Sequence, residues 1–168
     1  EDFETLLGPK TKLVSVTHVS NVLGTIVPIK EITKLAHARD IPVLVDGAQG
    51  IVHTRVDVQD LEVDFYAFTG HKLYGPSGIG VLYGRKELLN NMPPYEGGGD
   101  MIESVTFEKT TYRDAPARFE AGTPPIVEAA GLAAAIDYVE AIGIERISAH
   151  EQELLAYATT QLKKIGGL

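Results

Sequence analysis

Two polar side chains follow apolar runs that are typical of strands. Their chemistry would allow both to act on the same ligand. Asp46 directly follows residues 42–45 (PVLV), and Lys72 follows residues 65–68 (FYAF) inside the segment 69–76 (TGHKLYGP). In open parallel sheets, functional groups collect at the carboxyl ends of strands, so we expect both at one edge. A lysine amine can bind a carbonyl compound covalently, and a carboxylate ending a buried strand is costly unless a cationic partner or several hydrogen-bond donors stabilise it.

This pair of groups meets the requirements of pyridoxal 5'-phosphate (PLP). That cofactor needs a lysine for its aldehyde and an acid opposite its ring nitrogen, because the protonated ring is the electron sink for substrate carbanions. Lys72 and Asp46 are predicted to take these two roles. Gln49 can hydrogen-bond the ring oxygen, while the Thr69 hydroxyl and the His71 imidazole can anchor the phosphate.

Simpler roles exist for the same residue types. Asp46 is also suited to capping the segment that follows it. A single lysine in a polar loop is usually just solvated. The other histidines lack metal-ligand spacing and are expected to be structural or surface groups, so no metal site is predicted; they are His18, His37, His53 and His150.

The elements that must position these residues alternate between strand and helix. Strands are predicted at 12–17, 42–45, 65–68 and 79–83, and a helix at 28–39. The continuous apolar run 42–45 is typical of a strand buried on both faces of a sheet. This order predicts an α/β fold with a mostly parallel mixed sheet and flanking helices.

The second half of the chain has a different composition. Residues 93–123 are rich in Gly, Pro, Thr and charge, which predicts an irregular lobe or hairpin that projects from the body. Residues 124–168 show helical periodicity, so two closing helices are expected there.

Composition excludes several partners. The chain has 168 residues, 15 basic and 23 acidic, for a formal net charge of −8, and no basic run that would follow nucleic acid. No apolar stretch approaches the roughly 20 residues that cross a bilayer, so no membrane contact and a cytoplasmic location are expected. Cysteine is absent, which removes any thiol nucleophile from these residues.

Four motifs in order carry a family resemblance: 18–24 (HVSNVLG), 45–49 (VDGAQ), 70–76 (GHKLYGP) and 118–124 (RFEAGTP). Together they resemble the SUF-type cysteine desulfurases and selenocysteine lyases, which are fold-type I PLP enzymes of the aminotransferase class V family. The segment 96–102 (EGGGDMI) favours this SUF-type branch.

The resemblance implies a fold and its limits. Residues 1–168 would be part of the PLP-binding large domain of an aspartate aminotransferase-like transferase, incomplete in this chain. The family's ring-stacking histidine and a phosphate loop would lie before Glu1. Its nucleophilic cysteine, its substrate-binding arginine and a small domain would lie after Leu168.

The resemblance also implies residue roles and partners. Lys72, Asp46, Gln49, Thr69 and His71 would hold PLP as reasoned above. Two more residues come from the resemblance alone: Asn21 would hold the substrate or ring, and Thr123 would reach the phosphate in the neighbouring subunit of a homodimer.

The implied activity is conversion of L-cysteine to L-alanine, with the sulfur passed to an enzyme cysteine as persulfide for iron–sulfur cluster assembly through an acceptor protein. The segment alone is expected to be inactive. Alternatives are a selenocysteine lyase acting on L-selenocysteine, another class V PLP enzyme, or a non-catalytic α/β binding or assembly module.

Overall fold

A computed structural model describes residues 2–167 and gives the chain one four-stranded sheet with helices packed around it. The strands are β1 (Val14–Thr17), β2 (Val43–Asp46), β3 (Phe65–Thr69) and β4 (Gly80–Gly84), in the spatial order β1-β2-β3-β4. β1, β2 and β3 are parallel, whereas β4 is antiparallel to β3. The predicted α/β class with a mostly parallel mixed sheet is confirmed.

The helices are α1 (Asp2–Leu6), α2 (Ile29–His37), α3 (Gly50–His53), α4 (Lys86–Asn91), α5 (Ile126–Ile142) and α6 (Ile144–Leu162). α2 follows the predicted helix 28–39, with Pro28 at its N-cap. The sequence did not predict α1, α3 or α4, which have six residues or fewer, because such lengths are too short to display a helical period. The strand predicted at 12–17 begins only at Val14.

The main core lies on the face of the sheet that α2 covers. Val43 and Val45 of β2 are fully buried there, together with Ile29 and Ala36 of α2 and Tyr66 of β3. Burial of this apolar surface fixes the register of the parallel strands, because a slip by one residue would turn these side chains to the opposite face.

The opposite face of the sheet is less covered than the sequence predicted. Leu44 is only half-buried, and it lines an open apolar cavity of about 310 Å³ with Phe65, Leu82 and Met92. Burial of β2 on both faces is therefore wrong for the described residues. A continuous apolar run indicates that both faces of a strand are buried in the functional molecule. It does not indicate which segment covers each face.

The antiparallel direction of β4 follows from the length of its connection. β3 ends at Thr69 and β4 begins at Gly80. A parallel neighbour would need a crossover of a dozen or more residues, usually through a helix. The short connection instead returns the chain beside β3, and it holds the residues 70–73 close to the strand ends.

A buried carboxylate ties β2, β3 and α2 together. Asp64 Oδ2 accepts hydrogen bonds from the Val43 amide at 2.7 Å and lies 2.7 Å from His37 Nε2, while Arg85 Nε lies 3.4 Å from Oδ1. These partners offset the cost of burying the charge. His37 therefore has the structural role that the sequence predicted.

The segment 93–123 contains a hairpin of β5 (Ile102–Val105) and β6 (Thr110–Tyr112). Arg118 Nη1 donates a hydrogen bond to the Asn90 carbonyl at 2.6 Å and so fastens the end of this segment to α4. Both closing helices are present: α5 packs on the body through Leu132 and Val139. Over residues 2–167 we find no helix with the length and apolar content to span a bilayer.

Candidate functional site

The ends of two neighbouring parallel strands carry the predicted site. Asp46 is the last residue of β2 and pairs in register with Ala67 of β3. Thr69, two residues further, ends β3, and alternation along a strand places it on the same face as Ala67. Asp46 and Thr69 therefore share one face and one edge of the sheet, as the sequence predicted for this pair of strand ends.

The Asp46 carboxylate is exposed. The expectation of a costly buried charge at this strand end is therefore wrong for the described residues. Oδ1 accepts a hydrogen bond from the Ala48 amide at 3.0 Å, whereas Oδ2 accepts none from residues 2–167. Gln49, and not Asp46, occupies the N-cap of α3, so helix capping does not explain the aspartate. One oxygen of this acid is thus free for an external cationic donor.

Lys72 lies in a short 3-10 helix, Gly70–Leu73, that starts where β3 ends. The Gly70 amide donates to the Ile79 carbonyl and the Gly75 amide donates to the Gly70 carbonyl, both at 2.9 Å. These bonds close the turn around Lys72, which is itself exposed. The turn therefore presents the lysine side chain to solvent from a fixed backbone.

Packing also anchors this turn. Leu73, next to Lys72, is buried in a cluster with Val52 of α3 and with Leu132 and Val139 of α5. A Cβ added to Gly70 would lie 2.7 Å from Cγ2 of Ile79, so the turn needs glycine at its start. The closing helix α5 thereby holds the lysine turn against the sheet.

Thr69 and His71 contact each other beside the lysine. Thr69 Oγ1 and His71 Nδ1 are 2.9 Å apart, and the His71 ring is exposed. When the imidazole is neutral and accepts from the hydroxyl, its Nε2–H remains as a donor. When it is protonated, it donates Nδ1–H to Thr69, and both the hydroxyl and Nε2–H can then donate to an anion. The pair is thus suited to binding a phosphate.

A buried histidine and tyrosine support the turn that follows Asp46. Tyr66 is 1% exposed and His18 is 7% exposed, and the Tyr66 hydroxyl lies 2.9 Å from His18 Nδ1. Burial, with the nearby Asp46 carboxylate, raises the pKa of Tyr66, and burial lowers the pKa of His18. Both shifts favour a neutral tyrosine that donates its O–H to a neutral imidazole.

Two glycines let the turn approach these rings. A Cβ at Gly47 would lie 1.9 Å from Cε1 of Tyr66, and a Cβ at Gly50 would lie 2.5 Å from Nδ1 of His18. The His18 amide also donates to the Asp46 carbonyl at 2.8 Å. The turn that carries Asp46 and Gln49 is therefore fixed by close packing and by the backbone.

Asn21 and Gln49 line one open groove of about 360 Å³. The groove lies between the loop after β1, the start of α3 and the helix α6. Asn21 is exposed at the tip of a loop in which the Ser20 hydroxyl accepts hydrogen bonds from the Val22 and Leu23 amides. Asn21 and Gln49, both predicted as site residues, thus line the same groove.

Thr123 lies apart from the strand ends along the chain, in the segment before α5. It is exposed, and the neighbouring Gly122 amide donates to the Gly99 carbonyl at 2.9 Å. The Thr123 side chain has no hydrogen-bond partner among residues 2–167. Its predicted role in a neighbouring subunit stays a prediction.

Sequence reasoning missed two polar residues at the groove. His53, predicted as structural or surface, lies with Nε2 at 3.2 Å from Gln49 Oε1 and with Nδ1 at 2.8 Å from Glu151 Oε2. The spacing of four residues between Gln49 and His53 was a usable signal, because such residues are neighbours on a helix. Glu151 follows 98 residues after His53 and left no local signal.

The aminotransferase class-V family profile matches residues 1–168. The chain therefore belongs to the aminotransferase class V family. It is 55% identical over its full length to a cysteine desulfurase of Synechococcus elongatus, of which it covers 27%. It is 58% identical over 161 residues, 95% of the chain, to a cysteine desulfurase of Dickeya dadantii, of which it covers 39%.

Solved structures share the fold. The crystal structure of the cysteine desulfurase CsdA from Escherichia coli matches 97% of this chain with a TM-score of 0.94 and 42% identity. A variant of C-DES with glycine covalently linked to its PLP cofactor matches 87% of this chain with a TM-score of 0.77 and 34% identity. The chain covers 41% and 40% of those two chains, so it spans about two fifths of the length of each.

Proposed function

We propose that this chain is the cofactor-binding segment of a PLP-dependent cysteine desulfurase of the SUF-type branch. The observation that carries the proposal is the placement of Asp46 and the Lys72 turn at the ends of adjacent parallel strands. The cysteine desulfurase names of the relatives support cysteine as the substrate. A cytoplasmic location stays a prediction from the sequence.

The side chains at this edge fit PLP by their chemistry. Lys72 supplies an exposed amine for the aldehyde, and the free Oδ2 of Asp46 supplies an acceptor for the ring N–H. The Thr69 and His71 pair supplies donors for the phosphate. When bound, PLP supplies an electron sink that stabilises negative charge at the substrate Cα.

The residues of this chain then have distinct tasks. Asp46 keeps the ring nitrogen protonated by charge pairing. Lys72 holds the cofactor before substrate arrives, and afterwards its Nζ carries a proton to and from the substrate Cα. Because none of the 168 residues is cysteine, the thiol that accepts the sulfur is supplied from outside this sequence, and a separate acceptor protein is part of the proposal.

We infer that Thr123 serves the site of a second copy in a homodimer. The residues just after it, Ile126 and Val127, are 65% and 80% exposed, although they are apolar and begin a long helix. Such a surface is typical of a contact region. A second copy seated there would bring Thr123, whose hydroxyl is exposed and has no hydrogen-bond partner among residues 2–167, to the phosphate-binding turn of that copy.

Activity measurements on the full-length protein test the enzyme proposal. With PLP, cysteine and a thiol reductant, alanine and sulfide should form in equal amounts. Lys72→Ala should reduce turnover by about 1,000-fold or more, because it removes both the anchor and the proton carrier. Lys86→Ala, at an exposed lysine of α4, is the matched control. Normal turnover in Lys72→Ala would contradict the proposal, and no turnover in the wild type would favour the non-catalytic module.

Complementation tests the proposed homodimer. Full-length Lys72→Ala and Thr123→Ala chains are co-expressed with different tags, and the mixed dimer is purified. If Thr123 acts across the interface, the mixed dimer has one intact site and recovers about half of the wild-type activity. If Thr123 serves its own chain, the activity of the mixed dimer does not exceed half the activity of the Thr123→Ala homodimer.

A further inference from the structure

A chain of three polar side chains joins α6 to the residue proposed to contact the cofactor ring. Gln49 stands at the N-cap of α3, and His53 ends that helix four residues later. His53 Nε2 lies 3.2 Å from Gln49 Oε1, and His53 Nδ1 lies 2.8 Å from Glu151 Oε2 on α6. The imidazole is half-buried and bridges the amide and the carboxylate.

The chemistry of the two contacts determines where the protons lie. The oxygen of Glu151 and the amide oxygen of Gln49 are both acceptors, so each bond needs an N–H from the His53 ring. Both bonds form together only when the imidazole is protonated at both nitrogens. Arg55 and Glu145 line a neighbouring cavity together with His53, and they pair with each other at 3.8 Å.

This arrangement fixes which end of the Gln49 amide is free. With its oxygen held by His53, the NH₂ group is the end left without a hydrogen-bond partner among residues 2–167. A free NH₂ donates hydrogen bonds, whereas a free amide oxygen would repel an anionic ring oxygen. Without the Glu151 charge, a neutral His53 would give its one N–H to residue 151 and accept from Gln49. The amide would then turn its oxygen outward.

We propose that Glu151 and His53 are positioning residues that orient the Gln49 amide as a donor toward the ring oxygen of PLP. This inference rests on the proposed function, because it assigns a partner to the free amide end. A residue of α6 thus controls the orientation of an active-site side chain, although the other site residues lie at the strand ends. Neither residue touches the cofactor in this proposal.

A double-variant cycle in the full-length protein tests the inference through cofactor binding and the visible absorbance band. Glu151→Gln keeps the shape of the side chain and removes its charge. It should raise the PLP Kd about tenfold, the effect of losing one hydrogen bond to a charged group, and shift the band. In a Gln49→Ala background the same change should alter the Kd by less than about twofold, since the amide it acts through is gone. Glu151→Asp should restore part of the affinity.

The matched control is Glu153→Gln, which removes an exposed carboxylate from the same helix and should leave both readouts unchanged. If Glu151→Gln changes the PLP Kd equally with and without Gln49, the positioning role is overturned. The proposed function stands in that case, because the wild type still binds PLP. Absence of PLP binding by the wild type itself would overturn the proposed function and this inference together. The two failures are therefore distinguishable.

Discussion

The hydroxyl of Tyr66 lies 2.9 Å from Nδ1 of His18, and the two rings meet edge to face with an angle of 89° between their planes. This buried pair packs against the turn that begins at Asp46, where glycine at positions 47 and 50 allows the close approach. The strand that ends in Asp46, the proposed partner of the cofactor ring, is thus held in place by a neutral hydrogen bond rather than by another charge.

Removal of the Tyr66 hydroxyl should destabilise the full-length protein. Tyr66→Phe leaves Nδ1 of the buried His18 without its donor, which costs about 1–3 kcal/mol of unfolding free energy. Chemical denaturation followed by circular dichroism measures the change. Tyr157→Phe is the control, because Tyr157 is exposed on α6. Equal stability of the two variants would show that the buried bond contributes nothing.

Stability should depend on the protonation of His18. Burial lowers the pKa of His18 in the folded chain below its ordinary value of 6.5, so the unfolded chain binds a proton more readily. The contribution of the neutral ring is fully present above about pH 6.5 and is lost as pH falls toward the lower, folded pKa. The Tm should therefore decrease as the pH is lowered from about 7.5 to about 5.5. The slope of Tm against pH should be smaller in His18→Gln. An unchanged slope in His18→Gln, with His150→Gln as the control, would contradict this assignment.

Alanine at position 47 should disturb both the fold and the proposed cofactor site. Its Cβ would lie 1.9 Å from the Tyr66 ring, so the turn or the ring must move, at a cost of about 1–3 kcal/mol. PLP affinity should fall as well, because the same turn carries Asp46. Gly97→Ala is the control, since nothing lies within 4 Å of a Cβ there. Wild-type stability and affinity in Gly47→Ala would be inconsistent with the packing described.

The Thr69 and His71 pair should bind the phosphate and not the ring. Thr69→Val removes one donor and should weaken PLP binding about tenfold while leaving the affinity for pyridoxal, which lacks the phosphate, unchanged. Titrations monitored by absorbance give both constants. Thr159→Val on α6 should change neither. Equal losses for the two ligands would assign Thr69 a role in the turn itself.

The sequence predicted those parts of the molecule that local pattern determines. The strands that end at Asp46 and Thr69 and the helix α2 carry apolar periodicity, and the site residues next to them are grouped by short motifs. The direction of β4 was not predicted, although the ten residues between Thr69 and Gly80 were a sufficient reason for it.

Contacts between distant segments could not be read from the chain. The exposure of Asp46 depends on what covers the second face of the sheet, and the pairing of His53 with Glu151 depends on how α6 packs. Both are tertiary properties, set by packing between segments far apart in sequence. Neither leaves a periodic or compositional signal.

The residue that holds the cofactor can be identified directly by trapping the bond between PLP and the protein. Full-length protein is incubated with PLP, reduced with borohydride, digested and mapped by mass spectrometry. A reduced pyridoxyl group is expected on Lys72, with the unmodified form of that lysine nearly absent, and its yield should be much lower in Asp46→Ala. Label spread over exposed lysines such as Lys86, with Lys72 no more modified than the rest, would contradict the proposed role of Lys72.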